Sequence, residues 1–280
     1  MKLIVIKFLR DTPAVLGLVI VLFGLFVAVF AGQLAPDPDA AFSSNLLQRF
    51  KPPSAEHWFG TDNLGRDIFS RVILGTRSAF MIAITVVGSA MLIGVPLGLL
   101  AGHLGGWRTE AIMRVTDIVL AVPQLILALA LAQLMKPGLV TAMVALSLTY
   151  WPFFTRTVYA ETRRLKSSLF VEALQGVGAS TTRILFLHVL PNAASPIIVR
   201  ATIGMGFTIL TAAVLGFLGV GATPPDPDWG LAIAESRKFL PETWWFATFP
   251  GLAILIAVLG FNLLGDGLRD LVDPRLRRSR

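Results

Sequence analysis

Apolar residues in this chain come in long runs rather than in the strict alternation of a half-buried sheet. Six runs approach the ~20 residues that cross a hydrocarbon core at ~1.5 Å rise per residue. They cover about 14–35, 78–101, 115–135, 139–154, 197–220 and 245–264. Only helices and closed barrels satisfy every backbone polar group without water, and uninterrupted runs of this length are helical. The pattern therefore predicts an all-α polytopic membrane protein with about six transmembrane helices. The fourth run is short and ends in Tyr150-Trp151-Pro152, aromatics suited to a membrane–water interface. Pro96 and Pro123 each remove a backbone donor and are expected to bend their helices. Gly94, Gly98 and Gly102 recur on one helical face, a stripe that lets a second helix approach closely.

Composition agrees. Hydrophobic residues make up 55% of the chain, charged residues 15%, and the mean hydropathy is +0.73. A soluble domain carries about 25% charged residues. The formal charge of +7 fits either nucleic-acid binding or basic cytoplasmic loops, and the apolar composition selects the second. With no cysteine, disulfides and thiolate chemistry are excluded. His57, His103 and His188 are too far apart in sequence to form a metal-ligand spacing. Val29-Phe30-Ala31 resembles a signal-peptidase site, but the apolar stretch before it exceeds the ~7–15 residues of a signal core, so an uncleaved first span is expected.

An even number of spans puts both termini on one side. With both inside, the basic clusters at Lys2, Lys7 and Arg10, at Arg156, Arg163, Arg164, Lys166 and Arg183, and at the C-terminus are all cytoplasmic. Positive charge then predominates inside, as the positive-inside rule requires. Arg200, at the foot of the fifth span, is assigned to neither side. Residues 65–77 hold three arginines on the outer side, and Ile68, Phe69, Val72 and Ile73 recur at helical spacing. An amphipathic helix in the interface is expected there. The chain thus divides into an N-terminal unit, 1–77, with span, outer connector and interfacial helix, and a five-span core, 78–280.

No Asp, Glu, Lys or Arg sits at a span centre. Ion-coupled transporters place ionisable groups within the membrane, so the energy source is expected outside the spans. Uncharged polar residues that could line a pathway are Gln124, Gln133, Ser147, Thr149, Thr208, Thr211 and Asn262. The alternative for each is a bond to a neighbouring helix.

A charged loop, about 156–191, separates the fourth and fifth spans. Glu172, Ala173, Leu174 and Gln175 favour helix, Gly178 is expected to end it, and Leu190-Pro191 to enforce a break. A small exposed helix rimmed by basic residues fits either anionic headgroups or a soluble partner. The order Glu172-Ala173-Leu174, three residues, Gly178, then His188, Leu190 and Pro191 resembles the EAA loop of ABC importer permeases. Leu174 stands where the family has a second alanine, and His188 where the broad pattern has isoleucine. Peptide-type members often carry His-x-Leu-Pro-Asn there. Three more stretches resemble the dipeptide/oligopeptide/nickel subfamily: 57–71 (HWFGTDNLGRDIFSR), 216–230 (GFLGVG through PP to WG), and 249–275 (FPGLA, FNLLGDGLRD, DPR).

The resemblance implies a type I ABC importer permease fold in a bacterial or archaeal cytoplasmic membrane. Implied partners are a second homologous permease, two ATPase subunits, an extracytoplasmic binding protein and the bilayer, with no nucleic acid. The loop, with Glu172, Ala173, Leu174, Gly178, His188, Leu190 and Pro191, then carries ATPase movement to the spans. No Gly-x4-Gly-Lys-Ser/Thr run is present, so this chain is expected to be no enzyme and to hold no cofactor, with ATP and Mg in the partner subunits. Asp226, Asp228, Trp229, Glu235 and Arg237, in an outer segment, are expected either to touch the binding protein or to form a polar connector. Small peptides are the expected cargo. The subfamily's alternatives are nickel chelates, opines, glutathione and sugars. A stand-alone secondary transporter, a membrane-embedded enzyme and a purely structural subunit are the rivals from other classes.

Overall fold

The computed structural model describes residues 8–272. Helices dominate, and among the described residues the only β-type pairing is an isolated bridge between Thr61 and Asp67. The longer ones, in chain order, are α1 (Thr12–Val29), α2 (Ile68–Leu104), α3 (Gly106–Ala121), α4 (Gln124–Gln133), α5 (Leu139–Lys166), α6 (Leu169–Gly176), α7 (Thr181–Phe217), α8 (Trp229–Ser236) and α9 (Trp244–Val272). Short polar side chains start several of them by accepting an otherwise unpaired backbone N–H. Asp11 accepts from Ala14, Asp67 from Ser70, Ser180 from Arg183 and Asp228 from Leu231.

α1, α2, α7 and α9 are each long and apolar enough to cross a membrane, and α3 with α4, bent by 86°, qualifies only when the two are taken as one broken span. The bend expected at Pro123 is a full break that divides the third span into two helices. It falls at Val122-Pro123, where proline cannot donate to the preceding turn. α5 is helical from the expected start but continues through the charged residues Arg156 to Lys166. The expected loop therefore begins as helix.

Neighbouring residues order the bundle. Gly94 faces Trp151 and Thr155, Gly98 faces Val158, and Gly102 faces Thr162, so α2 and α5 run parallel. A Cβ at Gly98 would sit 2.6 Å from the Val158 Cβ, which is why the stripe must be glycine. Gly17 against Leu264 and Gly267 against Ala14 make α1 and α9 antiparallel. Gly265 against Ile203 and Gly206 against Val258 do the same for α7 and α9. Arg200 lies over Phe153 while Gly204 and Phe207 meet Tyr150, so α5 and α7 are also antiparallel. α2, α5 and α9 therefore point one way, α1 and α7 the other. To join the end of α2 to the start of α5, the broken pair must traverse the bundle once. The start of α1, the end of α9 and α6 consequently share one end. The 36–67 connector and the 218–243 segment share the other.

Residues 68–77 are the first turns of α2, not a separate interfacial helix, and α2 runs unbroken past residue 77. The amphipathic reading failed because Arg71 is 4% exposed and Arg66 only 1%: both point inward to acceptors.

Candidate functional site

The end of the bundle that carries α6 is built by local backbone chemistry. At its C-terminus the Gly178 N–H donates to the Gln175 carbonyl and the Ala179 N–H to Leu174, both at 3.0 Å. This paired closure needs a left-handed residue, and Gly178 has φ +79°. Among the described residues, nothing lies within 4 Å of a Cβ placed on Gly178. Its glycine is thus explained by conformation, not by a crowding neighbour in the chain. Leu174 and Ala179 occupy the two positions whose apolar contact accompanies such a closure, and both pack against the central core cluster, as does Leu190. Leu174, the departure from the alanine pattern, therefore anchors α6 to the bundle beside the buried Val171.

Glu172, Ala173, Gln175 and Gly178 are exposed. So are large apolar side chains: Leu169 at 83%, Val177 at 81%, and Phe170, Phe186 and Leu187 to lesser degrees. These five were not singled out from sequence. Their signal was an apolar residue inside a charged loop with no periodic partner. Beside them a polar cleft of about 570 Å³ opens between the α2–α3 turn and the end of α5, lined by Glu110, Tyr159, Arg163 and Lys166 among others. Lys166 Nζ donates to the His103 carbonyl at 2.6 Å, tying α5 to that turn.

Proline does not break the chain at Leu190-Pro191, contrary to expectation. α7 continues through it, with residues Ile184–Val189 wound as a wider π turn. Such a turn absorbs the missing Pro191 N–H. The half-buried His188 lies in this turn, and its carbonyl accepts from Asn192 Nδ2 at 2.7 Å.

At the opposite end, residues that looked separate in sequence meet in one buried polar knot. Asp62 Oδ1 accepts from the Leu64 and Arg66 N–H groups, folding the 62–66 turn. The Arg66 guanidinium donates to Asp62 Oδ2 and to Glu235 Oε2, the latter at 2.8 Å. Arg71 donates to the carbonyls of Ala41, Pro225 and Asp226. His57 Nδ1 lies 3.0 Å from Asp67. Trp229 Nε1 donates to Val72 and Trp245 Nε1 to Thr61. Burial pushes the Asp228 carboxyl above its usual range, against the Leu231 and Gly230 N–H groups that favour its charge. Gly65 takes φ +76°, and a Cβ there would collide with the Asn45 backbone.

Of the five expected outer contacts, then, Asp228 caps α8, Trp229 is buried, and Glu235 pairs with Arg66. Asp226 and Arg237 are exposed, Arg237 over the Phe217 ring. The pathway residues also separate. Thr149, Thr208 and Thr211 are buried, and the Thr149 and Thr211 hydroxyls donate to carbonyls of their own helices. Ser147 bonds Ser89 across α5 and α2 at 2.8 Å. Gln133 is exposed, Asn262 is half-buried beside Gly206, and Gln124 Oε1 is buried without a hydrogen-bond partner among the described residues. No three His, Asp or Glu side chains converge on a metal-sized site among the described residues.

Residues 94–278 match the family model described as binding-protein-dependent transport system inner membrane component. Residues 1–53 match the N-terminal TM domain of oligopeptide transport permease C. The chain is 42% identical over 268 residues to the dipeptide transport system permease protein DppC of Alkalihalophilus pseudofirmus, covering 96% of this chain and 88% of the relative. It is 38% identical to the oligopeptide transport system permease protein OppC of Bacillus subtilis, covering 98% and 89%. The glutathione transport system permease protein GsiD of Pectobacterium atrosepticum is 42% identical, covering 97% and 90%. In fold, a chain of the inward-facing MetNI methionine ABC transporter superposes with a TM-score of 0.61 at 19% identity, over 72% of this chain and 96% of that one. This chain therefore belongs to the family of binding-protein-dependent transport system inner membrane components, the permease subunits of ABC importers.

Proposed function

We propose that this permease forms half of a pathway for small peptides, and that α6 receives the driving movement from an ATPase. The carrying observation is α6 itself: a short helix at one end of the bundle, anchored by Val171 and Leu174, with Leu169, Phe170 and Val177 left facing outward. An anchored helix with an uncovered apolar face suits docking in a groove of a soluble partner. Because its far end joins α7 through Ser180 and the π turn, movement of α6 passes directly to a bundle-length helix. The sequence carries no phosphate-binding loop, so ATP and Mg belong to the two ATPase partners. A second homologous permease supplies the other half of the pathway, and an extracytoplasmic binding protein delivers the cargo.

The peptide assignment follows the dipeptide and oligopeptide names of the relatives, and the 1–53 match favours that branch. Glutathione is the second reading, favoured by the GsiD relative. We assign Gln124, Gln133 and Asn262 to the pathway side, and Asp226 and Arg237 to the binding-protein contact. Thr208 and Thr211, with Asp228, Trp229 and Glu235, serve packing instead. The 1–77 unit and the 78–280 core remain our division of the chain, joined through α2. The basic clusters beside α6 and at both termini place that end in the cytoplasm.

The test is uptake of labelled dipeptides into vesicles bearing the four-subunit complex, with ATP on the ATPase side and loaded binding protein on the other. Uptake that needs ATP and all subunits supports the reading. Uptake by this chain alone, driven by an ion gradient, overturns it.

A further inference from the structure

Arg200 is the charged residue that the coupling scheme leaves unused. It sits on α7, one turn inside the apolar run that begins at about residue 197. Its guanidinium lies over the Phe153 ring of α5, 4.8 Å from the centroid. No carboxylate pairs with it among the described residues, and its Nε is buried without a hydrogen-bond partner. The neighbours along the seam between α5 and α7 are aromatic: Tyr150 stacks near Phe207 and packs on Phe153. Other arginines show what partnered ones look like here. Arg66 has two carboxylates and Arg156 has Asp117.

An unpaired guanidinium at this level is costly against acyl chains, and such groups face a bundle interior or a water-filled cavity. The seam is partly exposed in the single chain, so it is the flank that another surface or an aqueous path must cover. A planar fork resting on an aromatic ring keeps its remaining donors aligned for a carboxylate. We propose that the α5–α7 seam faces the pathway and that Arg200, held over Phe153, takes the carboxylate of the passing substrate. This rests on the importer reading above and adds to it a recognised group: a free carboxylate at the inner part of the path. The binding protein selects the cargo first. Arg200 then discriminates between free-acid and blocked forms during passage.

The test uses the complete complex in vesicles and compares a dipeptide with its C-terminal amide. Arg200→Gln should lower uptake of the free acid about tenfold or more, the worth of one charge-assisted contact, and leave the amide unchanged. Arg200→Lys should recover part of it. Equal losses for both peptides overturn the proposal. So does restoration of Arg200→Gln by neutralising an acidic residue of the partner permease, which would show an ion pair between subunits. The second arm does not depend on the arginine variants assembling. The chain has no cysteine, so Phe207→Cys carries its only thiol. A charged, water-soluble thiol reagent should label it, and peptide with ATP should slow the labelling. Absence of labelling would place the seam against lipid and overturn the proposal. If the wild type takes up neither peptide, it is the dipeptide assignment of the proposed function that fails.

Discussion

At the scale of single residues, two arginines show how context decides what a charge does. Arg66 is enclosed between Asp62 and Glu235, and its removal leaves Glu235 without its paired cation and Asp62 with only the Arg71 guanidinium, 3.8 Å away. Breaking a buried pair in this way costs roughly 3–5 kcal/mol. Arg66→Ala should therefore sharply lower the apparent unfolding temperature of the detergent-solubilised complex. A double-mutant cycle with Asp62→Ala should show the double variant less damaged than the sum of the singles; simple additivity would mean the pair is not coupled. Gly178 is constrained differently. With φ +79° and open space around it, a side chain fits, but the backbone resists it by roughly 1–2 kcal/mol. Gly178→Val should leave the subunit assembled while ATP hydrolysis no longer drives uptake. Undiminished transport per ATP hydrolysed, measured in vesicles, would remove Gly178 from the coupling path.

Between elements, the parallel packing of α2 on α5 holds the bundle at its centre. Thr155 donates to the Gly94 carbonyl at 3.2 Å, which requires the backbones to touch. Larger residues in such a seam force the helices apart at about 1–3 kcal/mol or more. Gly98→Leu should accordingly reduce the amount of assembled complex recovered by size-exclusion chromatography, whereas Gly88→Leu, which meets nothing within 4 Å among the described residues, should not. Equal recovery of the two variants would show that the stripe is dispensable. The same scale explains the misread 68–77 stretch. Its apolar periodicity was real, but both an interfacial helix and the buried first turns of a long helix produce it. Only the acceptors supplied by the Asp62 turn, the 41 position and the 225–226 carbonyls distinguish them.

For the whole molecule, the broken α3–α4 pair sets the topology. Traversing once, it places Gly105 and Gly138 on opposite sides of the membrane; as a re-entrant loop it would place them on the same side. Single cysteines at these two positions should be labelled by an impermeant reagent from opposite sides of the membrane, and labelling from one side would reverse the topology of everything after α3. The helical class, the apolar runs that form α1, α2, α7 and α9, the α6 helix with its Gly178 stop and the α2 glycine stripe were all legible along the chain. Each depends on neighbours a few residues apart, through backbone hydrogen bonding and helical period. The break at Val122 was half legible, since Pro123 predicts a bend but not its size. What only the tertiary structure decided was the partnership of distant groups. Arg66 with Glu235, Trp229 with Val72, and Arg200 with Phe153 are brought together by the way the helices pack, and no local spacing encodes them. Thus the sequence determined where helices form and where the chain turns, and packing determined which polar residues are satisfied inside and which are left facing a partner or a path.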